Sequence, residues 1–313
     1  MKGLELAERF YLEYGVPMMR DSFPELEGLI AVGLAGSGSE CLGFDDEASQ
    51  DHDFEPGFCL FLPGEELVDS RSAFALERAY AKLPKEFLGY KRSCLSPVGG
   101  NRHGVIRISD FLEGKIGSRS GVLALRDWFF VPEQSLAEVT DGKIFRDDFG
   151  HFTAIRNELA YMPEDVRLKK LAGELLVMGQ SGQYNFPRCL SRGDTAAAQL
   201  SAFEFVKAAM HVIFLLNKVY MPYYKWGFRA LRELSILSEL YEPMEYLISS
   251  GNTSPDAEKK KLITERICAD IISVLTSERL TKFRGSQMEG HAYSVNDGIS
   301  DPQIRNLHIL YAV

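Results

Sequence analysis

Asp51 and Asp53 are two carboxylates separated by one residue, just ahead of the apolar run 58–62. In an extended strand, residues i and i+2 share a face, so both carboxylates would point the same way. Two adjacent carboxylates repel each other unless a divalent cation neutralises them. Mg²⁺ suits such a pair because it binds carboxylates together with substrate phosphates. The spacing therefore predicts a metal site at Asp51 and Asp53, with Mg²⁺ or Mn²⁺ as the ion.

A loop of glycine and serine comes before this acidic pair and directly after the apolar run 29–34. Its members are Gly36, Ser37, Gly38 and Ser39. Glycine lets the backbone approach a phosphate closely, and the hydroxyl of Ser37 or Ser39 can donate a hydrogen bond to it. The loop therefore predicts a phosphate-binding site, which a metal at the acidic pair would complete.

The order of these features resembles that of the polymerase-beta-like nucleotidyltransferases, in which an apolar strand, Gly-Ser, a spacer and acid-x-acid follow one another. Eleven residues separate Gly38-Ser39 from Asp51, and thirteen separate Gly36-Ser37 from it. The longer string 36–53 is similar to one bacterial branch that is still described as a domain of unknown function. The alternative is that a common Gly/Ser loop and a solvated acidic pair happen to be neighbours, since a motif needs its structural context.

This resemblance implies an enzyme that moves a nucleoside monophosphate from a nucleoside triphosphate, with ATP expected, to a hydroxyl of a small molecule or protein. The superfamily commonly adds a third carboxylate on a later strand. The matching strand here, near 105–108, has no acid, and Asp110 follows it as the nearest catalytic candidate. Asp110 also suits the N-cap of a helix that begins at Phe111.

Without a third acid, a general base could come from the helical half of the chain, where Glu158, Glu174 and Glu204 are candidates. The alternative function is a non-catalytic nucleotide-binding sensor or partner-binding protein on the same scaffold. A purely structural helical protein is the third reading.

The helical half contains a second group of polar and aromatic residues: Arg192, Lys218, Tyr223 and Lys225. The three cations could neutralise the oxygens of a triphosphate, while Tyr223 offers a face on which a base can stack. The flanking stretches are similar to the same branch, so the resemblance extends over residues 28–240. Two structural readings compete: Lys225 could extend along an apolar helix, and Arg192 could pair with Asp194.

The periodicity of apolar residues predicts an α+β protein. Its N-terminal region, residues 1–148, should contain a mixed sheet with flanking helices, which the resemblance makes nucleotidyltransferase-like. Residues 149–313 should form a C-terminal α-helical bundle. Strands are predicted near 28–35, 53–62, 103–108 and 140–146, and helices at 2–14, 65–82, 150–160, 164–181, 194–220, 223–240, 243–250 and 255–281.

The composition is that of a globular protein, with 45% hydrophobic and 25% charged residues among 313. A net charge of −9 argues against a nucleic-acid partner, whose backbone attracts clustered Lys and Arg. Five scattered cysteines without a CxxC pair favour a reducing compartment. The charged N-terminus is unlike a signal peptide, and no apolar run approaches the ~20 residues of a membrane span. We therefore expect a cytoplasmic protein that does not bind membranes.

Overall fold

The computed structural model describes residues 1–50, 54–92, 102–311 and 313. The predicted Asp51 and Asp53 lie outside these described residues.

Contacts within the chain divide it into two compact units. The first unit comprises Met1–Ala124 and Val131–Tyr161, and the second comprises Leu125–Phe130 and Met162–Val313. The predicted boundary falls after residue 148, whereas the contacts assign the next helix to the first unit.

The α-helices in the described part of the chain follow one another as α1 (Gly3–Phe10), α2 (Val16–Ser22), α3 (Ser70–Ala81), α4 (Ile108–Ile116), α5 (Leu125–Phe130), α6 (Glu133–Thr140), α7 (His151–Leu159), α8 (Glu164–Met178), α9 (Phe186–Ser191), α10 (Thr195–Asn217), α11 (Tyr224–Leu231), α12 (Tyr241–Ser249), α13 (Asp256–Ser277), α14 (Met288–Asp297) and α15 (Pro302–Arg305). The strands are β1 (Ala31–Leu34), β2 (Cys59–Leu62), β3 (Glu86–Phe87), β4 (Tyr90–Lys91), β5 (Gly104–Arg107) and β6 (Lys143–Arg146).

A four-stranded mixed sheet with the order β5-β2-β1-β6 forms the centre of the first unit. Strand β1 pairs antiparallel with both β2 and β6, while β2 and β5 are parallel. Every residue of β1 and β2 is buried, as expected for central strands covered on both faces. With the helical second unit, this arrangement confirms the predicted α+β class.

Aromatic side chains cover the two faces of this sheet. On one face, Phe10 of α1 packs against Phe58, with ring centroids 5.9 Å apart. On the other face, Phe61 of β2 meets Phe152 of α7 at 4.4 Å and Phe111 of α4 at 5.3 Å. All five rings are buried, and full burial of one such side chain stabilises a fold by roughly 1.5–3 kcal/mol. Helix α4 is therefore anchored firmly beside the end of β5.

Strand β2 is shorter than predicted, because it begins at Cys59 and residues 54–58 are irregular. Pro56 has no backbone N–H to donate to a neighbouring strand. A Cβ at Gly57 would lie 2.6 Å from the His103 ring, so this segment passes too close to its neighbour for a regular strand with side chains. The acidic pair therefore precedes β2 in the sequence and does not belong to it.

The N-terminal helix is longer than predicted, since a π-helical segment (Tyr11–Gly15) continues α1 directly into α2. Asp45 binds at its beginning: its Oδ2 accepts a hydrogen bond of 2.7 Å from the backbone N–H of Gly3. The Lys2 ammonium lies 3.5 Å from the other carboxylate oxygen. A carboxylate stabilises a helix when it accepts from the N–H groups of the first turn, which have no partner inside the helix. Asp45 therefore has a structural role.

The strand predicted near 140–146 begins at Lys143, as β6. Residues up to Thr140 belong to α6, and β6 pairs with β1 rather than with a strand of its own. The turn itself is present, because Gly142 has a φ of +78°. The helix predicted at 164–181 ends as an α-helix at Met178, and a π-helix (Gly179–Asn185) continues α8 into α9.

In the second unit, α10 packs against α8, α9 and α12. It has 23 residues and a mean hydropathy of 1.4 over its most apolar window, which satisfies the length and composition of a membrane-crossing helix. Of that window, 61% is buried inside the structure. Burial in a protein core accounts for the same composition.

Candidate functional site

A pocket of about 380 Å³ lies in the first unit, where β1 ends and where β2 and β5 begin. The loop after β1, the start of β5 and one side of α4 form its walls. The lining residues are Leu34, Ala35, Gly36, Ser37, Glu40, Cys59, Arg102, His103, Gly104, Val105, Ile106, Asp110, Phe111, Gly114 and Lys115.

The Gly/Ser loop has a backbone that only glycine adopts readily. Gly36 has a φ of +118° and Gly38 a φ of +135°, a region that strongly disfavours other residues. The turn directly after the loop is closed by a hydrogen bond of 2.8 Å from the Phe44 N–H to the Ser39 carbonyl. A loop of this kind can present successive backbone amides to an anion. The pocket therefore lies where the glycines predicted a phosphate site.

Ser37 belongs to a three-residue network that the sequence did not predict. The Lys115 ammonium donates to Ser37 Oγ at 2.7 Å and to Glu138 Oε2 at 2.5 Å. Ser37 Oγ in turn donates to the same Glu138 oxygen at 3.0 Å. The network joins the loop to helices α4 and α6 and fixes the orientation of the Ser37 hydroxyl. Of the two serines proposed as phosphate donors, Ser37 is therefore already engaged with protein groups.

A second charged pair, Arg102 and Glu40, lines the pocket itself. Arg102 Nη1 donates to Glu40 Oε1 at 3.4 Å, and both side chains are largely buried. The Glu40 carboxylate folds against Gly38, where a Cβ would overlap it. His103 Nδ1 lies 3.3 Å from Glu55 Oε1. The Glu40 carboxylate and the His103 imidazole are thus each held in place by a partner within the first unit.

Asp110 lines the pocket, but it is not the N-cap of a helix at Phe111. Strand β5 runs without a gap into α4, so Arg107 takes the N-cap position and Asp110 lies in the first turn. The Asp110 carboxylate forms an ion pair of 2.7 Å with Arg119, and both side chains are more than half exposed. The N-cap prediction was wrong because it assumed a break between strand and helix.

The oxygen donors of the pocket suit a hard cation such as Mg²⁺. Burial raises the pKa of the Cys59 thiol to about 12, and this thiol donates to the Arg102 carbonyl at 3.1 Å. Among the described residues, which exclude Asp51 and Asp53, no group of three or more His, Cys, Asp or Glu side chains forms a metal site.

The four site residues predicted in the helical half lie in the second unit, and all of them are exposed. Lys218 ends α10 in a left-handed conformation, with a φ of 55°, and Tyr223 is the N-cap of α11. The Lys225 ammonium lies 5.0 Å from the centroid of the Trp226 ring. These three residues belong to the junction between α10 and α11.

Arg192 does not belong to that junction. It is the C-cap of α9, just before α10 begins, while Lys218 follows the end of α10. A helix of 23 residues is roughly 35 Å long, far more than a triphosphate spans. The prediction that Arg192 joins Lys218 and Lys225 around one triphosphate is therefore wrong. Asp194 caps α10, since its carboxylate accepts from the Ala197 N–H at 3.0 Å.

The base candidates of the helical half are also separated. Glu158 lies on α7, in the first unit. Glu174 of α8 pairs with His211 of α10, with 2.7 Å between Oε1 and Nδ1. Glu204 is an exposed residue of α10. The contact with His211 fixes the position of the Glu174 carboxylate.

Asp141, in the turn that contacts the end of β1, offers a test by pH. Burial raises the pKa of its carboxyl from 3.8 to about 6, against the opposing effect of the Arg156 guanidinium. The folded state binds the Asp141 proton more tightly than the unfolded state does. The contribution of Asp141 to the free energy of unfolding therefore falls as the pH rises from about 4 to 6. We expect Asp141→Asn to raise the free energy of unfolding by about 2 kcal/mol at pH 7, and not at pH 4.

Urea unfolding between pH 4 and pH 7 measures this effect. The exposed Asp21, paired with Arg20, provides the control Asp21→Asn, which should change stability little at either pH. Equal stabilisation by Asp141→Asn at both pH values would contradict the assignment.

Comparison with known proteins supports part of the resemblance. A family model described as Domain of unknown function (DUF4037) matches residues 128–227, a range that contains all four predicted site residues of the helical half. No curated protein matches the chain. A solved structure, that of a nucleotidyltransferase-like protein from Exiguobacterium sibiricum 255-15, is similar with 13% sequence identity and a TM-score of 0.36. The alignment covers 91% of this chain and 80% of that chain. The predicted similarity to a family of unknown function is thus confirmed for residues 128–227.

Proposed function

We propose that this protein is a metal-dependent nucleotidyltransferase. It transfers a nucleoside monophosphate from a nucleoside triphosphate, with ATP expected, to a hydroxyl group of a small molecule or protein. The observation that carries the proposal is the pocket at the end of β1, where Gly36 and Gly38 adopt backbone conformations suited to phosphate binding. The acidic pair that follows this loop in the sequence supplies the predicted ligands for Mg²⁺ or Mn²⁺.

Each group of residues has a distinct role in this proposal. The Gly36–Ser39 backbone and the Ser39 hydroxyl bind the phosphates, while Asp51 and Asp53 hold the metal. Lys218, Tyr223 and Lys225, in the second unit, stay sequence predictions for contacts with a triphosphate and a base. A bound divalent cation supplies neutralisation of the phosphate charge.

The transfer itself is a displacement at the α-phosphorus. The acceptor oxygen loses its proton to a base and forms the new P–O bond, while the bond to pyrophosphate breaks. Such a reaction depends mainly on positioning and on charge neutralisation, which a rigid loop can supply. A net charge of −9 favours a small cationic acceptor over an acidic one.

The second candidate is a nucleotide-binding sensor without turnover. Strand β5 carries no acid, and the nearest carboxylate, Asp110, is paired with Arg119. A site without a third carboxylate would bind a second metal ion poorly, which favours binding without transfer.

Release of pyrophosphate from the purified full chain distinguishes the two functions. The protein is incubated with each labelled triphosphate, with Mg²⁺ or Mn²⁺, and with a panel of hydroxyl acceptors. We expect metal-dependent release together with labelling of one acceptor class. Metal-dependent binding with no release under any of these conditions would favour the sensor. Failure to bind any triphosphate at millimolar concentration would contradict both functions.

A further inference from the structure

We propose that the Lys115 ammonium is the cation that binds the β- and γ-phosphates in the pocket, with Glu138 and Ser37 as its positioning residues. This inference rests on the proposed nucleotide site and assigns its polyphosphate subsite. Lys115 lies in the last turn of α4, and its side chain is about one quarter exposed. It is one of the pocket-lining residues, whereas its partner Glu138 is not. Lys115 is therefore part of the pocket wall, while its carboxylate partner lies outside the lining.

The hydrogen bonds of Lys115 leave it able to bind a further anion. An ammonium has three N–H donors. In the described part of the chain, two acceptors are within hydrogen-bond distance of it, Ser37 Oγ and Glu138 Oε2. One donor is left for a phosphate oxygen. The two existing contacts hold a flexible side chain in one position, which reduces the entropy that a ligand must otherwise remove.

The other cations near the pocket are neutralised differently. Arg102 pairs with Glu40, and both residues line the pocket, so their charges cancel within it. Arg119 pairs with the lining residue Asp110, but Arg119 itself is not in the lining. Lys115 therefore differs from Arg102 in that its carboxylate partner lies outside the pocket lining. An anion with several charges should bind it more tightly than an anion with few.

The inference also assigns the two serines of the loop. The Ser37 hydroxyl donates a hydrogen bond to Glu138 and accepts one from Lys115, so it holds the ammonium in place. Ser39 is then the serine that donates to a phosphate.

Calorimetric titration of the full chain with Mg²⁺ and three probes tests this assignment. The probes are ATP, inorganic tripolyphosphate and AMP. We expect Lys115→Met to weaken binding of ATP and tripolyphosphate by about 10–100-fold and binding of AMP by less than about threefold, because hydrogen bonds to charged groups are strong and AMP lacks the β- and γ-phosphates. Glu138→Gln should also weaken the binding of ATP and tripolyphosphate, but by a smaller factor. A merely structural role for Lys115 would weaken all three probes alike.

The chain offers a matched control in Lys143, which forms an ion pair of 2.7 Å with Glu8 in the same unit and does not line the pocket. Lys143→Met removes the same charge and should leave all three affinities unchanged. If Lys115→Met fails to fold, amine acylation of the wild-type chain replaces it. Tripolyphosphate should then protect Lys115, read by peptide mass spectrometry, and should leave Lys143 unprotected.

The outcomes separate this inference from the proposed function. Unchanged affinity of Lys115→Met for ATP and tripolyphosphate would overturn the inference and leave the nucleotide site standing. Lys115-dependent binding of tripolyphosphate without binding of ATP would support the phosphate subsite and contradict the nucleotidyltransferase. Wild-type protein that binds neither ATP nor tripolyphosphate would contradict both.

Discussion

Replacement of Asp53 by asparagine should lower the rate of metal-dependent pyrophosphate release by about a thousandfold, or ~4 kcal/mol of transition-state stabilisation. Asp51→Asn should have an effect of the same size. An amide keeps the shape of the side chain but removes the negative charge that binds the metal ion. The charge that builds up on the phosphates during transfer would then lack its main counterion. Steady-state rates at saturating triphosphate and Mg²⁺ measure the loss.

Thermal unfolding must show that both variants keep the wild-type fold. Asp21→Asn provides the matched control, because Asp21 is an exposed carboxylate of the same unit and pairs with Arg20. It should leave the rate unchanged. Wild-type rates in Asp51→Asn and Asp53→Asn would show that the acidic pair does not bind the catalytic metal.

Gly142→Ala should lower the free energy of unfolding by about 3 kcal/mol, the size of effect seen when backbone strain and a steric collision combine. Gly142 has a φ of +78°, and a Cβ there would overlap the carbonyl oxygen of Leu34. The Gly142 N–H also donates to the Cys41 carbonyl at 3.0 Å. The collision would push the turn away from the end of β1, immediately before the Gly/Ser loop. Urea unfolding measures the loss, and triphosphate affinity should fall with it.

Substitution of Gly150 separates the cost of backbone strain from the cost of the steric collision. It has nearly the same conformation, with a φ of +72°, but no atom lies within 4 Å of a Cβ built there. Gly150→Ala should therefore cost only the conformational strain, about 1 kcal/mol. Equal losses in Gly142→Ala and Gly150→Ala would mean that the close approach to Leu34 has no energetic role.

The central sheet could be predicted because its strands have strong local signals. The apolar runs around β1 and β2 end in glycine or proline, and both strands are fully buried. Their partners could not be predicted in the same way. Strand β6 pairs with β1 across a long stretch of chain, and its residues are only partly buried, so their pattern does not reveal the partner.

Helix ends were harder to predict than helix existence. The predicted helices 2–14 and 164–181 end inside π-helical segments, which contain Gly15 and Gly179 and continue the helices. Close packing explains both glycines: a Cβ would lie 2.7 Å from the Phe58 ring at Gly15 and 3.2 Å from the Glu289 nitrogen at Gly179. A glycine near a predicted helix end therefore indicates close packing at these two positions, and not a loop.

Site residues that are neighbours in the sequence could be predicted. Site residues that meet only through tertiary contacts were missed. Gly36 and Gly38 stand out in the sequence, and both have the expected unusual backbone. Lys115 and Glu138 are separated by a helix, a loop and part of a second helix, and each resembles an ordinary surface residue. They become recognisable only when α4 and α6 bring them to Ser37.

A crystal structure of the full chain with Mg²⁺ and a non-hydrolysable ATP analogue tests the central claim most directly. The account predicts that the phosphates lie against the Gly36–Ser39 backbone, that Asp51 and Asp53 bind the metal, and that Lys115 contacts the β- or γ-phosphate. An analogue bound at another place on the protein, with this pocket left empty, would contradict the account.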